Sequence, residues 1–552
     1  MRSSSIGRVA LKGLIAFTLG LLVPGQGLTK VIYVDRNVVN PSHDGTSWAT
    51  SFFTIQSALN QASTGDEVWV AASRPPGPGY VENIVLKDGV SLYGGFWGSE
   101  LQREDRDWKA NLTIIDGNGS GSVVSIPSTS TAQVVLDGFT IRNGAVQSGY
   151  GGGINAEGPA IISHNTITEN SAFAGGGVNA TSIVIITDNT ISMNQSELGP
   201  SAVRGIGSGV IIKCNTITSN ISKGDSGAVI VAGGRLSGNM ISDNYVIGNW
   251  ISEGGAIKAF TGSVIEGNTI VRNKAKHAGG IVSSGAVISR NIITDNVAEY
   301  SLAGGISAGD NTTIVNNVIM RNRSGSAGGG IDVMGNVMIR GNLIAENTTG
   351  YEGAGIRVQS GEATIVNNTI AGNRNEWQGG GLFLVGDKAV VINCIIANNS
   401  SGVYSLMKST DLVFSHNDVS GNLQDYQMLP DQTGISGNIN TDPGFVHYGL
   451  SNYRLRSDST CIGKGDGSVV LPGEVDLEGN PRILGQQVDI GAYEYGDVPP
   501  PLIPSALSIA GGLTAATPER MDALGVADCA CIVDIAFAVR LARKAAGLEG
   551  KP

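Results

Sequence analysis

A six-residue phrase that opens and closes on asparagine recurs through the middle of the chain. It reads Asn165-Thr-Ile-Thr-Glu-Asn170, Asn189-Thr-Ile-Ser-Met-Asn194, Asn215-Thr-Ile-Thr-Ser-Asn220 and Asn239-Met-Ile-Ser-Asp-Asn244. It returns at Asn268, Asn291, Asn317, Asn342, Asn368, Asn393 and Asn417. Ten steps cover the 252 positions from Asn165 to Asn417, about 25 residues each. A fixed period of this length marks a solenoid, because one unit cannot bury its apolar face alone and stacks on the next. A second phrase, G-G-[GA]-[IVL] or a variant, precedes the first. Its apolar residue falls 11 positions ahead of the asparagine at Ile154, Val178, Ile257, Ile306, Ile331 and Leu382.

Each unit holds short β-rich runs between Gly, Asn and Ser turns, with no helical period. Leucines at the fixed positions of a leucine-rich repeat are missing, and a propeller blade needs about 40 residues. Three short strands in about 25 residues make one coil of a parallel β-helix, with coils about 4.8 Å apart. Each repeat position then becomes a ladder. The two asparagines are predicted to stack as amide ladders. The dry core is predicted at Ile167, Ile191, Ile217, Ile241, Ile270, Ile293, Ile319, Ile344, Ile370 and Ile395. Glycine, at 80 of 552 residues, marks the turn before the other strand. The fifth position of the phrase alternates in sign over Asp243, Arg272, Asp295, Arg321 and Glu346, which reads as a structural charge ladder.

The ends of the chain differ from its middle. Residues 1–29 read as a signal peptide: Arg2, Arg8 and Lys12 precede the short apolar run from Gly13 to Val23. Removing those three cations takes the net charge from −11 to −14, which disfavours nucleic acid as a partner. No later stretch approaches the roughly 20 apolar residues of a membrane span. Thr54 is placed to cap a helix with Ile55, Ala58, Leu59 and Ala62 on one face. The five cysteines (Cys214, Cys394, Cys461, Cys529 and Cys531) are too few and scattered for a disulfide framework.

Tyr33-Val34-Asp35, Asp44-Gly45-Thr46-Ser47-Trp48, Ile55-Gln56-Ser57-Ala58-Leu59, Gly65-Asp66-Glu67-Val68-Trp69-Val70-Ala71, and then Leu92-Tyr93-Gly94-Gly95-Phe96 with Arg106-Asp107-Trp108, resemble the opening of exported bacterial right-handed parallel β-helix proteins. Asp442-Pro443-Gly444-Phe445, Tyr453-Arg454-Leu455, Asp476-Leu477-Glu478-Gly479-Asn480-Pro481-Arg482 and Val488-Asp489-Ile490-Gly491-Ala492-Tyr493-Glu494-Tyr495 resemble their closing region, which is associated with surface-anchored members. The alternation of the two phrases is also similar to repeats of polymorphic outer-membrane adhesins. Ile532 to Leu548 resembles the second half of a dockerin, which implies a cohesin-like partner and calcium. Only Asp528 and Asp534 are left there as carboxylate ligands, however, while calcium takes six to eight oxygens, so no cofactor is expected.

The chain is thus read as all-β: a right-handed parallel β-helix with an N-terminal capping helix and a small α-helical tail. Its divisions are the leader 1–29, a cap with first coils 30–135, repeats 136–425, a closing region 426–496, a Pro-rich linker 497–504 and the tail 505–552. Two sets of residues are singled out for function. Outward positions after the glycine phrase include Lys258, Asp332 and Arg357. Asp332 and Arg357 read as a surface ion pair of small value, and the competing reading makes the three residues the acid and base groups of a polysaccharide lyase. The turn before the phrase carries Tyr150, Phe173, Trp250, Tyr300, Tyr351 and Trp377, with acids beside several of them, notably Glu352 and Glu376. Sugar rings pack on aromatic faces while carboxylates accept their hydroxyls, so this stripe reads as a glycan track. The expected function is an exported or cell-surface protein that binds glycans. The alternative is a carbohydrate-active enzyme, in particular a lyase of acidic polysaccharide.

Overall fold

The structure of the chain, a computed structural model, describes residues 29–39, 42–74, 79–248 and 254–496. The leader as far as residue 28, the linker and the dockerin-like tail with Asp528 and Asp534 lie outside the described residues, as does Trp250. Within them the chain is an all-β parallel solenoid of about 14 turns. Its strands sort into parallel sheets of 15, 14, 14 and nine members, besides one short antiparallel pair. Nine coils therefore carry a fourth strand of their own, where the sequence predicts three. It follows the second asparagine, for example at Thr348–Thr349.

The phrase is a strand between two corners. Ile167, Ile191, Ile217, Ile241, Ile270, Ile293, Ile319, Ile344 and Ile370 form one column, each fully buried. The residue before each asparagine turns the chain through the left-handed region: Arg290, Asn316 and Asn367 at the first corner, Asp295, Arg321 and Glu346 at the second. His164 and His416 take this place in their coils. Each asparagine then binds the next coil. Asn317 donates from N and Nδ2 to Asn342 Oδ1 at 2.8 and 3.0 Å, and Asn322 does the same to Asn347.

One coil is out of the predicted register. Cys394, not Asn393, holds the ladder position, since its N–H donates to Asn417 Oδ1 at 2.9 Å. Ile396 rather than Ile395 continues the core column from Ile370. Asn393 is the left-handed corner residue (φ 56°), a place asparagine also fills at 316 and 367, and the two roles are alike in sequence.

The charged corner forms two of its ion pairs, Asp243–Arg272 at 2.6 Å and Asp295–Arg321 at 3.0 Å. Glu346 turns elsewhere and accepts from Tyr453 Oη at 2.9 Å. The cause is the closing region, which lies along the flank of the stack. Phe445, Tyr453, Leu455, Leu477, Ile490 and Ala492 form an apolar cluster with Val318, Met320, Leu343, Ala345, Ala371, Ile395 and Ala397 on the outer face of the phrase sheet. At the other end Ile55, Ala58 and Leu59 of the helix Ile55–Gln61 are buried in the main core, with Thr54 accepting from Ser57 N at 3.3 Å.

Asp418 on the last coils is sealed by this closing region. Burial pushes its carboxyl up to about 6, against the hydrogen bonds of Thr441 N and Cys461 Sγ. A carboxyl raised in the folded state contributes stability that is complete below its unfolded pKa of about 4 and is lost as pH rises through about 6. Asp418 should therefore weaken the closing region by about 2 kcal/mol between pH 4 and pH 7.5, in the same direction as Glu478 and Glu494, whose carboxyls burial also raises. Hydrogen exchange of residues 443–495, corrected for intrinsic rates, reads this directly. An Asp418→Asn variant should lose about 2 kcal/mol of this dependence and keep the share of the two glutamates; one that keeps the wild-type dependence in full would show that Asp418 has no part in it.

Candidate functional site

The glycine-phrase strands alternate inward and outward, so the residue after each apolar anchor faces out. Strand register puts Asn155, Asn179, Arg204, Ile230, Lys258, Val282, Ser307, Asp332, Arg357, Phe383 and Tyr404 in one outward column. The preceding turn folds back over this column. A Cβ on Gly353 (φ 61°) would lie 2.6 Å from Arg357 Cβ, and one on Gly328 equally close to Asp332 Cβ, so glycine is needed at both.

That fold-back changes the nature of the Asp332–Arg357 pair. The ion pair forms between adjacent coils, at 2.7 Å (Nε–Oδ1) and 3.0 Å (Nη2–Oδ2), but it is not a surface pair. Asp332 is 0% exposed and Arg357 14%. Arg357 Nη2 also donates to Gln359 Oε1 at 2.8 Å, and Nη1 lies 3.9 Å from Glu352. Lys258 is three rungs from Asp332 and four from Arg357, roughly 14 and 19 Å at 4.8 Å per rung. Its Nζ is 5.8 Å from the centre of the Phe260 ring. The three residues do not converge.

The aromatic turn and the outward column, read separately in the sequence, meet here. Tyr351 and Trp377 sit on adjacent coils with ring centres 5.8 Å apart and planes inclined by 48°. They are 52% and 64% exposed. Glu352 connects this pair to Arg357, and Glu376 is exposed beside Trp377. Asn375 braces the turn: its Nδ2 donates to Tyr351 O at 2.8 Å and Gln378 O at 2.5 Å, and its Oδ1 accepts from Ser400 Oγ. Tyr300 is exposed on the same edge, but the Ser326 rung separates it from Tyr351. Tyr150 and Phe173 are exposed seven or more coils lower. The stripe is therefore one compact pair with outlying members.

Sequence reading missed a polar cluster near the N-terminal end. Arg106 pairs with Asp137 at 2.5 Å and lies over the rings of Tyr93 and Trp108, at 5.0 and 5.2 Å. Trp108 packs 4.6 Å from His164, whose Nδ1 is 2.8 Å from Asp137 Oδ2. Burial raises the Asp137 carboxyl, but His164, Arg106 and Ser163 together hold it below the usual range; the same contact raises His164. The cluster clasps the segment around Arg106 to the first coils. The signal was positional: Tyr93, Asp137 and Ser163 share one column of the 15-stranded sheet. Among the described residues no group of three His, Cys, Asp or Glu is placed to hold a metal.

A family model described as a right-handed beta helix region matches residues 335–443. No curated protein matches the chain. Among solved structures it is similar to XylC in complex with xylose, at 10% identity over 75% of this chain and 87% of that one, with a TM-score of 0.36. It is also similar to pectate lyase Pel9A, at 14% identity over 85% and 97% with a TM-score of 0.28. The A-module of the Azotobacter vinelandii mannuronan C-5 epimerase AlgE6 matches at 14% identity over 70% and 94% with a TM-score of 0.30. These likenesses concern architecture alone. The chain is a right-handed β-helix repeat protein.

Proposed function

We propose that this β-helix protein binds glycans at the Tyr351–Trp377 pair. One observation carries the reading: two large rings, each more than half exposed, stand on adjacent coils of a braced turn. Exposed aromatic surface held rigid is costly to leave bare, and it matches the apolar face of a sugar ring. Glu352 and Glu376 supply acceptors for hydroxyls at its edge. In this reading residues 1–29 direct export, the protein works outside the cell or on its surface, and the tail 505–552 anchors it or docks on a cohesin-like partner. The lyase reading has no constellation to rest on among the described residues, because Lys258 stands apart and the guanidinium of Arg357 is committed to Asp332.

A glycan array probed with the full chain should give ligands whose retention falls at least tenfold in Trp377→Ala and in Tyr351→Ala. Asn375→Ala should fall less, because it loosens the rings without removing them. Unchanged retention in both aromatic variants would remove the proposal, as would release of unsaturated sugars from pectin or alginate by the wild type.

A further inference from the structure

A second position on the same outward column has the chemistry of an anion-recognising subsite. Arg204 stands six rungs below Arg357, roughly 29 Å at 4.8 Å per rung. Beside Arg204 stands Tyr150, an aromatic residue of the preceding turns, whose ring centre lies 4.3 Å from the guanidinium carbon. Tyr150 is 44% exposed. The two arginines differ in one respect. Arg357 is paired with the buried carboxylate of Asp332, whereas Arg204 Nη1 donates to the neutral Oδ1 of Asn179 at 2.9 Å. Asn179 Nδ2 donates in turn to Asn155 Oδ1 at 2.7 Å, and Asn155 reaches Glu157 at 3.4 Å, two rungs away from Arg204. The relay orients the guanidinium without neutralising it. A guanidinium has five N–H donors in a planar fork suited to a carboxylate or sulfate, and here one is spent on an amide.

We infer that Arg204, backed by Tyr150 and Asn179, binds the acidic group of a glycan chain that lies lengthwise along this column, with other rings at Tyr351–Trp377. The inference rests on the glycan-binding reading and adds to it the class of ligand. The net charge of −11 opposes a uniformly charged polymer, so the ligand is one in which acidic rings alternate with neutral ones. Linking two subsites through one polymer raises affinity without any new contact at either.

The test uses the full chain with hyaluronan, which alternates a carboxylated and a neutral ring, keratan sulfate, which carries sulfate without carboxylate, and a neutral chitin oligosaccharide. Arg204→Gln and Tyr150→Ala, checked for native circular dichroism, should lose about tenfold in affinity for one of the acidic polymers and flatten its salt dependence. Binding of the neutral oligosaccharide should stay unchanged. Loss on hyaluronan alone assigns a carboxylate, and loss on keratan sulfate alone a sulfate. Wild type that prefers neither acidic polymer over the neutral probe overturns the inference, as do variants that bind both as wild type does. Either result leaves the Tyr351–Trp377 pair standing if Trp377→Ala has lost the neutral probe.

Discussion

Asn322→Ala is expected to cost about 3–5 kcal/mol, although it removes only a carboxamide. The side chain is wholly buried and all its hydrogen-bonding capacity is used. Its Oδ1 accepts from Asn296 N and Nδ2 at 3.1 and 3.0 Å, and its Nδ2 donates to Ile293 O at 2.8 Å and Asn347 Oδ1 at 3.1 Å. Truncation strands donors and acceptors on both neighbouring coils where water does not reach, at about 1–3 kcal/mol each. A solenoid couples only nearest neighbours, so the loss falls on the junction of these coils and should appear as an earlier, less cooperative urea transition. Asn322→Asp should be no better at pH 7, since a carboxylate cannot donate to Ile293. A cost below about 1 kcal/mol for the alanine variant would mean that β-pairing alone holds the stack. Cys394 shows how far the ladder bends naturally: its backbone keeps the bond to Asn417, while Asn368 Nδ2 keeps Ile339 O at 2.9 Å and Val366 O at 3.0 Å but meets sulfur at 4.0 Å where its neighbours find an amide oxygen.

The same coil marks the boundary of what the sequence discloses. A ladder residue is legible because its burial and bonding repeat every coil, and the isoleucine column is legible for the same reason. Asn393 defeated the register because asparagine serves both the left-handed corner and the ladder, and repetition cannot separate two roles filled by one residue type. The flank position of the closing region had a signal that went unread. The outward phrase positions change from Thr166 and Thr168, Thr190 and Ser192, to Val318 and Met320, Leu343 and Ala345, where that region covers them. At the candidate site the identities of Tyr351, Trp377, Asp332 and Arg357 were legible, but their depth was not. Exposure there depends on how the turns at Gly328 and Gly353 fold back, a tertiary fact with no period in the sequence.

That depth makes Arg357→Ala the sharpest test of what the outward column is for. The substitution leaves Asp332, 0% exposed, with no counter-charge, and breaking one side of such a pair costs about 3–5 kcal/mol. The deficit should appear as a lower urea midpoint at pH 7.5. Asp332→Ala/Arg357→Ala together should be more stable than Arg357→Ala alone at pH 7.5, because no charge is left behind. If Arg357→Ala is instead as stable as wild type, the pair is not structural, and the guanidinium is held there for a ligand.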